Sequence, residues 1–69
     1  MTGQSQRHIE DLRDLLRREK SLPVALLPKR LGLSPDYTGK LARQLVVEGQ
    51  ARRRYDDHNG MFVLEWIGS

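Results

Sequence analysis

The chain has 69 residues, 12 of them Lys or Arg and 9 Asp or Glu, for a formal net charge of +3, and it has no cysteine. That length fits one small domain, too small for a deep cavity ringed by catalytic loops, and the missing thiols exclude a disulfide framework, a thiolate zinc site and a cysteine nucleophile. No apolar run approaches the roughly 20 residues of a membrane helix, and residues 1–6 are polar with no signal-peptide core behind them, so a cytoplasmic protein without membrane insertion is expected.

The first predicted element is a helix over about residues 6–19. Ile9, Leu12, Leu15 and Leu16 fall on one stripe of a 3.6-residue period. Between them Glu10, Asp11, Arg13, Asp14, Arg17 and Arg18 make a solvated face with opposite charges at helical spacing. Arg17, Arg18 and Lys20 gather where the helix dipole favours cations. His8 has no partner at helical spacing and is expected at the surface.

A second, shorter helix is predicted over about residues 24–31. Pro23 suits its beginning, and Pro28 is tolerated within a first turn, where its missing N–H has no partner to lose. Leu26, Leu27 and Leu31 are its expected buried side. Gly32 ends it in the left-handed cap conformation, and Leu33 packs the turn. Ser34-Pro35-Asp36 then reads as a new helix start, with Ser as N-cap, Pro at the first helical position and Asp at the positive end of the dipole. This third helix is expected to run to about Glu48 and stop at Gly49. Thr38, Leu41 or Ala42, and Leu45 face inward; Asp36, Tyr37, Lys40, Arg43, Gln44 and Val47 face out.

Beyond Gly49 the period changes to two. Residues 51–55 and 61–66 read as strands around Asp56-Asp57-His58-Asn59-Gly60, in which Asn-Gly is a strong hairpin signal because both residues tolerate positive φ. An isolated hairpin is marginal in water, so Tyr55, Phe62 or Val63, Leu64 and Trp66 are expected to lie on the helices. The expected fold class is α+β, mostly α: three helices followed by a two-stranded β-hairpin, in one domain ordered over about residues 6–67.

Charge is distributed unevenly over these elements. Residues 29–55 hold seven bases (Lys29, Arg30, Lys40, Arg43, Arg52, Arg53, Arg54) against Asp36 and Glu48, whereas residues 56–69 hold Asp56, Asp57 and Glu65 and no base. A basic middle beside an acidic end suggests one face that prefers a polyanion.

The stretch from Leu26 to Gly49, with Gly32-Leu33-Ser34 joining two short helices, resembles the helix-turn-helix pattern. Adding the first helix, the segment Leu45-Val46-Val47-Glu48-Gly49-Gln50-Ala51-Arg52-Arg53 and the hairpin, nearly the whole chain resembles a winged helix-turn-helix DNA-binding domain. Val46 and Val47 stand where that family usually has polar residues. The resemblance implies that the third helix enters the major groove of double-stranded DNA with its N-terminal half foremost. Lys40 and Arg43 would read guanine or hold phosphate, Gln44 would pair with adenine, Tyr37 would reach a phosphate or a base, and Ser34 with the N–H groups behind it would bind phosphate. Gly39 within this helix costs about 1 kcal/mol against Ala, to be offset by close approach of the first or second helix or of a DNA backbone.

Arg52, Arg53 and Arg54 lie at the root of the wing. Alternation sends Arg53 to the opposite face from its neighbours, and Arg52 and Arg54 are the candidates for DNA contact. The other reading of the run is an edge strand guarded by charge. Asp56 and Asp57 stand where such domains often place a basic residue, so either the wing does not touch DNA or the domain binds it in another way; protonated His58 would offset one of them.

A metal site at Asp56, Asp57 and His58 is not expected, because adjacent residues of a turn do not converge on one ion and Asp and Asn are ordinary turn formers. Ser34 is accounted for as a cap, and the scattered glycines make no phosphate-cradling loop. Neither a cofactor nor an enzyme activity is expected. Trp66, Phe62 and Tyr55 read as core aromatics. The expected function is sequence-specific binding of double-stranded DNA, as in a small transcriptional regulator or an accessory protein of a plasmid or phage, with Val46, Val47 and the C-terminal strand as candidates for a homodimer contact. The alternative is a winged-helix protein-interaction module that meets its partner through Val46, Val47 or the acidic wing. In that respect the chain resembles the small ferrous iron transport protein C family, but the cysteines that suit that family's wing to an iron–sulfur cluster are missing here.

Overall fold

The computed structural model describes the backbone from residue 3 to residue 68 and side chains from residue 6. Helix α1 (Gly3–Glu19) is followed by strand β1 (Ser21–Pro23), a 3-10 turn (Val24–Leu26), helix α2 (Leu27–Leu31), helix α3 (Pro35–Val47) and strands β2 (Ala51–Asp56) and β3 (Met61–Trp66). The α1 stripe is buried as its period requires: Ile9, Leu12, Leu15 and Leu16 pack against Leu27 of α2 and Leu41, Ala42 and Leu45 of α3. Among the described residues the charges of α1 form no ion pair along the helix. Instead Arg13 crosses to the end of α3, donating to Gln50 Oε1 at 2.8 Å and to Glu48 Oε1 at 3.4 Å.

Strand β1 is the element that periodicity does not announce. It occupies the stretch before the expected start of the second helix, pairing antiparallel with β3 as Ser21↔Glu65, Leu22↔Leu64 and Pro23↔Val63. The reversal out of α1 is made by Lys20, whose φ of 74° places a non-glycine residue in the left-handed region. Its carbonyl then accepts from Trp66 N at 2.8 Å, tying the end of α1 to the end of the hairpin. Pro23 is tolerated because β1 is an edge of the sheet, where a missing N–H costs no ladder bond. The expected helix over residues 24–31 is therefore divided into a 3-10 turn and a five-residue α2 with Pro28 in its first turn. Leu27 is buried and Leu31 is partly buried against the core, but Leu26 is exposed, because the change of helix type rotates it out of the stripe.

The helix-turn-helix junction follows the expected chemistry. Gly32 caps α2 with φ 68° and ψ 35°, and Leu33 N donates to Pro28 O at 3.0 Å. Ser34 Oγ accepts from Tyr37 N at 3.3 Å as the N-cap of α3, and Pro35 opens the helix. Helix α3 buries Thr38, Leu41, Ala42 and Leu45 together, and Gly49, at φ 77°, turns the chain into β2.

Strands β2 and β3 pair in register from Ala51↔Trp66 to Asp56↔Met61. The four-residue turn between them is built on Asp56, whose Oδ1 accepts from His58 N at 3.0 Å and whose Oδ2 accepts from Asn59 Nδ2 at 2.7 Å. Of the Asn-Gly pair, Gly60 alone has positive φ. Alternation puts Ala51, Arg53 and Tyr55 on one face with Trp66, Leu64 and Phe62; Arg52, Arg54 and Asp56 share the other with Glu65, Val63 and Met61. Leu64, fully buried, joins the core from the first face. The expected aromatic packing is only partly realised: Trp66 packs on the core, whereas Tyr55 and Phe62 stay outside it, 50% and 47% exposed. They meet each other edge to face, 5.0 Å between centroids. Three helices followed by a hairpin, with the sheet order β1-β3-β2, make a winged-helix topology.

Candidate functional site

Burial of Thr38, Leu41, Ala42 and Leu45 fixes which way the rest of α3 points. Asp36, Lys40, Arg43 and Val47 lie on the side away from the core, and all are exposed. One flank of α3 faces α1 and the other faces the wing, and the two differ chemically.

On the α1 flank Tyr37, Lys40, Gln44 and Glu48 border a cleft closed by Glu10 and Arg13. Tyr37 does not project outward as expected. It is half-buried on the core, and its hydroxyl shares a 3.0 Å hydrogen bond with His8 Nδ1, the two rings standing edge to face. His8, expected at the surface, is half-buried and links α1 to α3. Gln44 Nε2 donates to Glu48 Oε2 at 3.3 Å. Ser34 is exposed at the start of α3, with its hydroxyl engaged as the cap and with Asp36 in the first turn behind it.

On the wing flank Gly39, Arg43 and Val46 of α3 face Arg53 and Leu64 of the hairpin across an open groove of about 460 Å³, whose floor also includes Val24 and Ala42. No acidic residue lines it. The Arg53 guanidinium lies over the Phe62 ring, 4.6 Å from its centroid, so the exposed aromatic pair steadies this cation beside α3. Among the described residues no carboxylate forms an ion pair with Lys40, Arg43 or Arg53.

Arg52 and Arg54 are placed differently from Arg53. Both are on the far face of the sheet, and both engage Glu65 Oε1, Arg52 at 2.8 Å and Arg54 at 3.5 Å. The Arg52 hydrogen bond, with the positive charge of both arginines, holds the Glu65 carboxyl below the usual carboxylate range. Of the sequence candidates, Lys40 and Arg43 share the exposed face of α3, Gln44 and Tyr37 turn toward α1, and Arg52 and Arg54 lie on the opposite side of the sheet. Arg53, which is not among those candidates, lines the groove with Arg43. The sequence signals its side, because Leu64 and Trp66 are large apolar residues and pairing across the turn sets Arg53 opposite Leu64 on the same face.

At the wing tip the Asn59 side-chain amide, together with the turn N–H groups of Asn59 and His58, holds Asp56 below the usual carboxylate range. Its oxygens are engaged in forming the turn. No group of three or more His, Asp or Glu side chains suited to a metal ion gathers among the described residues, and no described helix is long and apolar enough to cross a membrane. Comparison with protein-family models, with curated proteins and with solved structures gives no match.

Proposed function

We propose that the chain is a binding module for double-stranded DNA, with the exposed face of α3 as its recognition surface and Arg53 as the contribution of the wing. The observation that supports this most is the pairing of Arg43 and Arg53 across one groove, from two different elements and with no acid lining it. An α-helix fits the major groove, and Lys40 and Arg43 project from the side of α3 that is free of core packing. The acidic tip is compatible with this arrangement, because the cation of the wing lies at its root and the Asp56 carboxylate is directed into the turn. A small regulator or accessory protein that acts on DNA is the class of molecule this reading fits.

The decisive measurement is a titration with mixed-sequence duplex at low and at physiological salt. Each phosphate contact contributes a slope of about −0.9 to log K against log salt, so three or four contacts weaken binding by orders of magnitude over that range. Lys40→Ala combined with Arg43→Ala removes measurable binding at physiological salt while the helical circular dichroism stays unchanged, since both side chains are exposed. Absence of wild-type binding even at low salt refutes the proposal.

One observation favours a second reading, a module that binds protein. Val47 is 78% exposed on the same face of α3, next to the exposed Val46, and apolar side chains there would be desolvated by a partner helix more readily than by a phosphate backbone. In that case Val47→Lys abolishes partner binding or self-association and leaves any affinity for duplex unreduced.

A further inference from the structure

Gly39 is in the interior of the 13-residue helix α3, where glycine is the least favourable residue after proline. Packing does not account for it: a Cβ built on Gly39 meets no atom within 4 Å, so neither α1 nor α2 requires a bare backbone at this position. Its surroundings supply a different reason. Gly39 is exposed on the wall of the groove between α3 and the wing, with Val24, Val46 and Leu64 along the floor and Arg43 and Arg53 at the rim. A sugar–phosphate strand has the matching chemistry, since it alternates an apolar deoxyribose face with an anionic phosphate.

We infer that this groove seats one backbone strand of the bound duplex, with Gly39 as the point of closest approach and Arg43 and Arg53 each holding a phosphate. The inference rests on the DNA-binding reading above and adds to it the path of one strand between α3 and the wing. The absence of a side chain at Gly39 lets the strand lie against the helix backbone. The stacking of Arg53 on Phe62 holds its guanidinium at the rim, so little freedom is lost when it meets a phosphate. Two cations facing a groove without acids match a polyanion in charge. Of the apolar lining, Leu64 and Ala42 are themselves buried, which leaves Val24 and Val46 as the main apolar surface and too little to anchor a helix by burial alone.

Gly39→Ala tests this because it moves stability and binding in opposite directions. The methyl group enters open space and raises the helix propensity of α3, so the thermal midpoint rises by about 4–8 °C. The same methyl group holds the strand away from the helix, and affinity for a mixed-sequence duplex falls roughly tenfold. A variant that is stabilised and binds duplex as tightly as wild type overturns the inference and leaves the DNA-binding reading standing. A wild-type protein that does not bind duplex at low salt overturns both. An acidic peptide of alternating Glu and Leu serves as the competing ligand: if wild type prefers it to duplex, and Gly39→Ala weakens the peptide alone, the groove belongs to a protein partner and the inference fails.

Discussion

Three consecutive arginines of one composition have two different environments. Arg52 and Arg54 face Glu65, whereas Arg53 faces α3 and Arg43. An ion pair between exposed side chains contributes at most about 1 kcal/mol, but its effect here is on the distribution of charge: Glu65 offsets positive charge on the far face and leaves the groove face unopposed. Arg53→Ala should therefore reduce the salt slope of duplex binding by about 1, and Arg54→Ala should leave that slope unchanged. Slopes measured at four or five salt concentrations distinguish the two variants. Equal effects would mean that both faces of the sheet meet the polyanion, and the groove would lose its claim to be the interface.

The hairpin shows how an element depends on a few polar contacts, and it gives a pH dependence with a definite sign. Asp56 and Glu65 both titrate below their usual range in the folded chain. Between the folded and unfolded values the unfolded chain binds more protons, so stability rises with pH through that window. The contribution is complete above the unfolded carboxylate values near pH 4 and is lost as the pH falls through the folded ones. Acid unfolding of wild type followed by circular dichroism should show this loss below about pH 4. Asp56→Asn together with Glu65→Gln removes part of the dependence, while the carbonyl oxygen of the amide introduced in the turn can still accept the N–H groups of His58 and Asn59.

Elements of different length were unequally legible in the residues. Helices α1 and α3 are long enough to repeat their period several times, and Gly32, Ser34 and Pro35 mark the junction between α2 and α3 with local cap chemistry. Strand β1 is three residues long, and its ladder partner lies about 40 residues away in β3, so no local pattern identifies it. The left-handed Lys20 that directs the chain into β1 is equally silent, because glycine is the residue that usually marks such a position. Of the candidate site, Lys40 and Arg43 follow from the α3 stripe. The inward turn of Tyr37 depends on His8, 29 residues earlier, and periodicity says nothing about such a pairing.

At the scale of the whole molecule each α-helix and each strand contributes to one core, and among the described residues there is no other cluster. Leu12 and Leu16 come from α1, Leu22 from β1, Leu27 from α2, Leu45 from α3, Ala51 from β2 and Leu64 from β3. With no second cluster to retain partial structure, unfolding should be a single cooperative transition. Leu64 is the position where this dependence is greatest. It is fully buried in the central strand, with Leu22 on one side and Arg53 on the other in register, so it joins the sheet to α3 and also forms the floor of the groove. Leu→Ala at a buried position costs about 2–5 kcal/mol, and one core in a chain this short supplies about 3–5 kcal/mol in total. Leu64→Ala should therefore leave much of the protein unfolded at 25 °C. Val63→Ala on the neighbouring residue should not, because Val63, although only 7% exposed, lies on the other face of β3 and outside the core cluster. Urea titrations of the two variants give the comparison directly: a large fall in midpoint for Leu64→Ala and a small one for Val63→Ala. Equal falls would mean that the far face of the sheet is covered as tightly as the near one, for instance by a second copy of the chain, and a concentration dependence of the Val63→Ala midpoint would identify that cover.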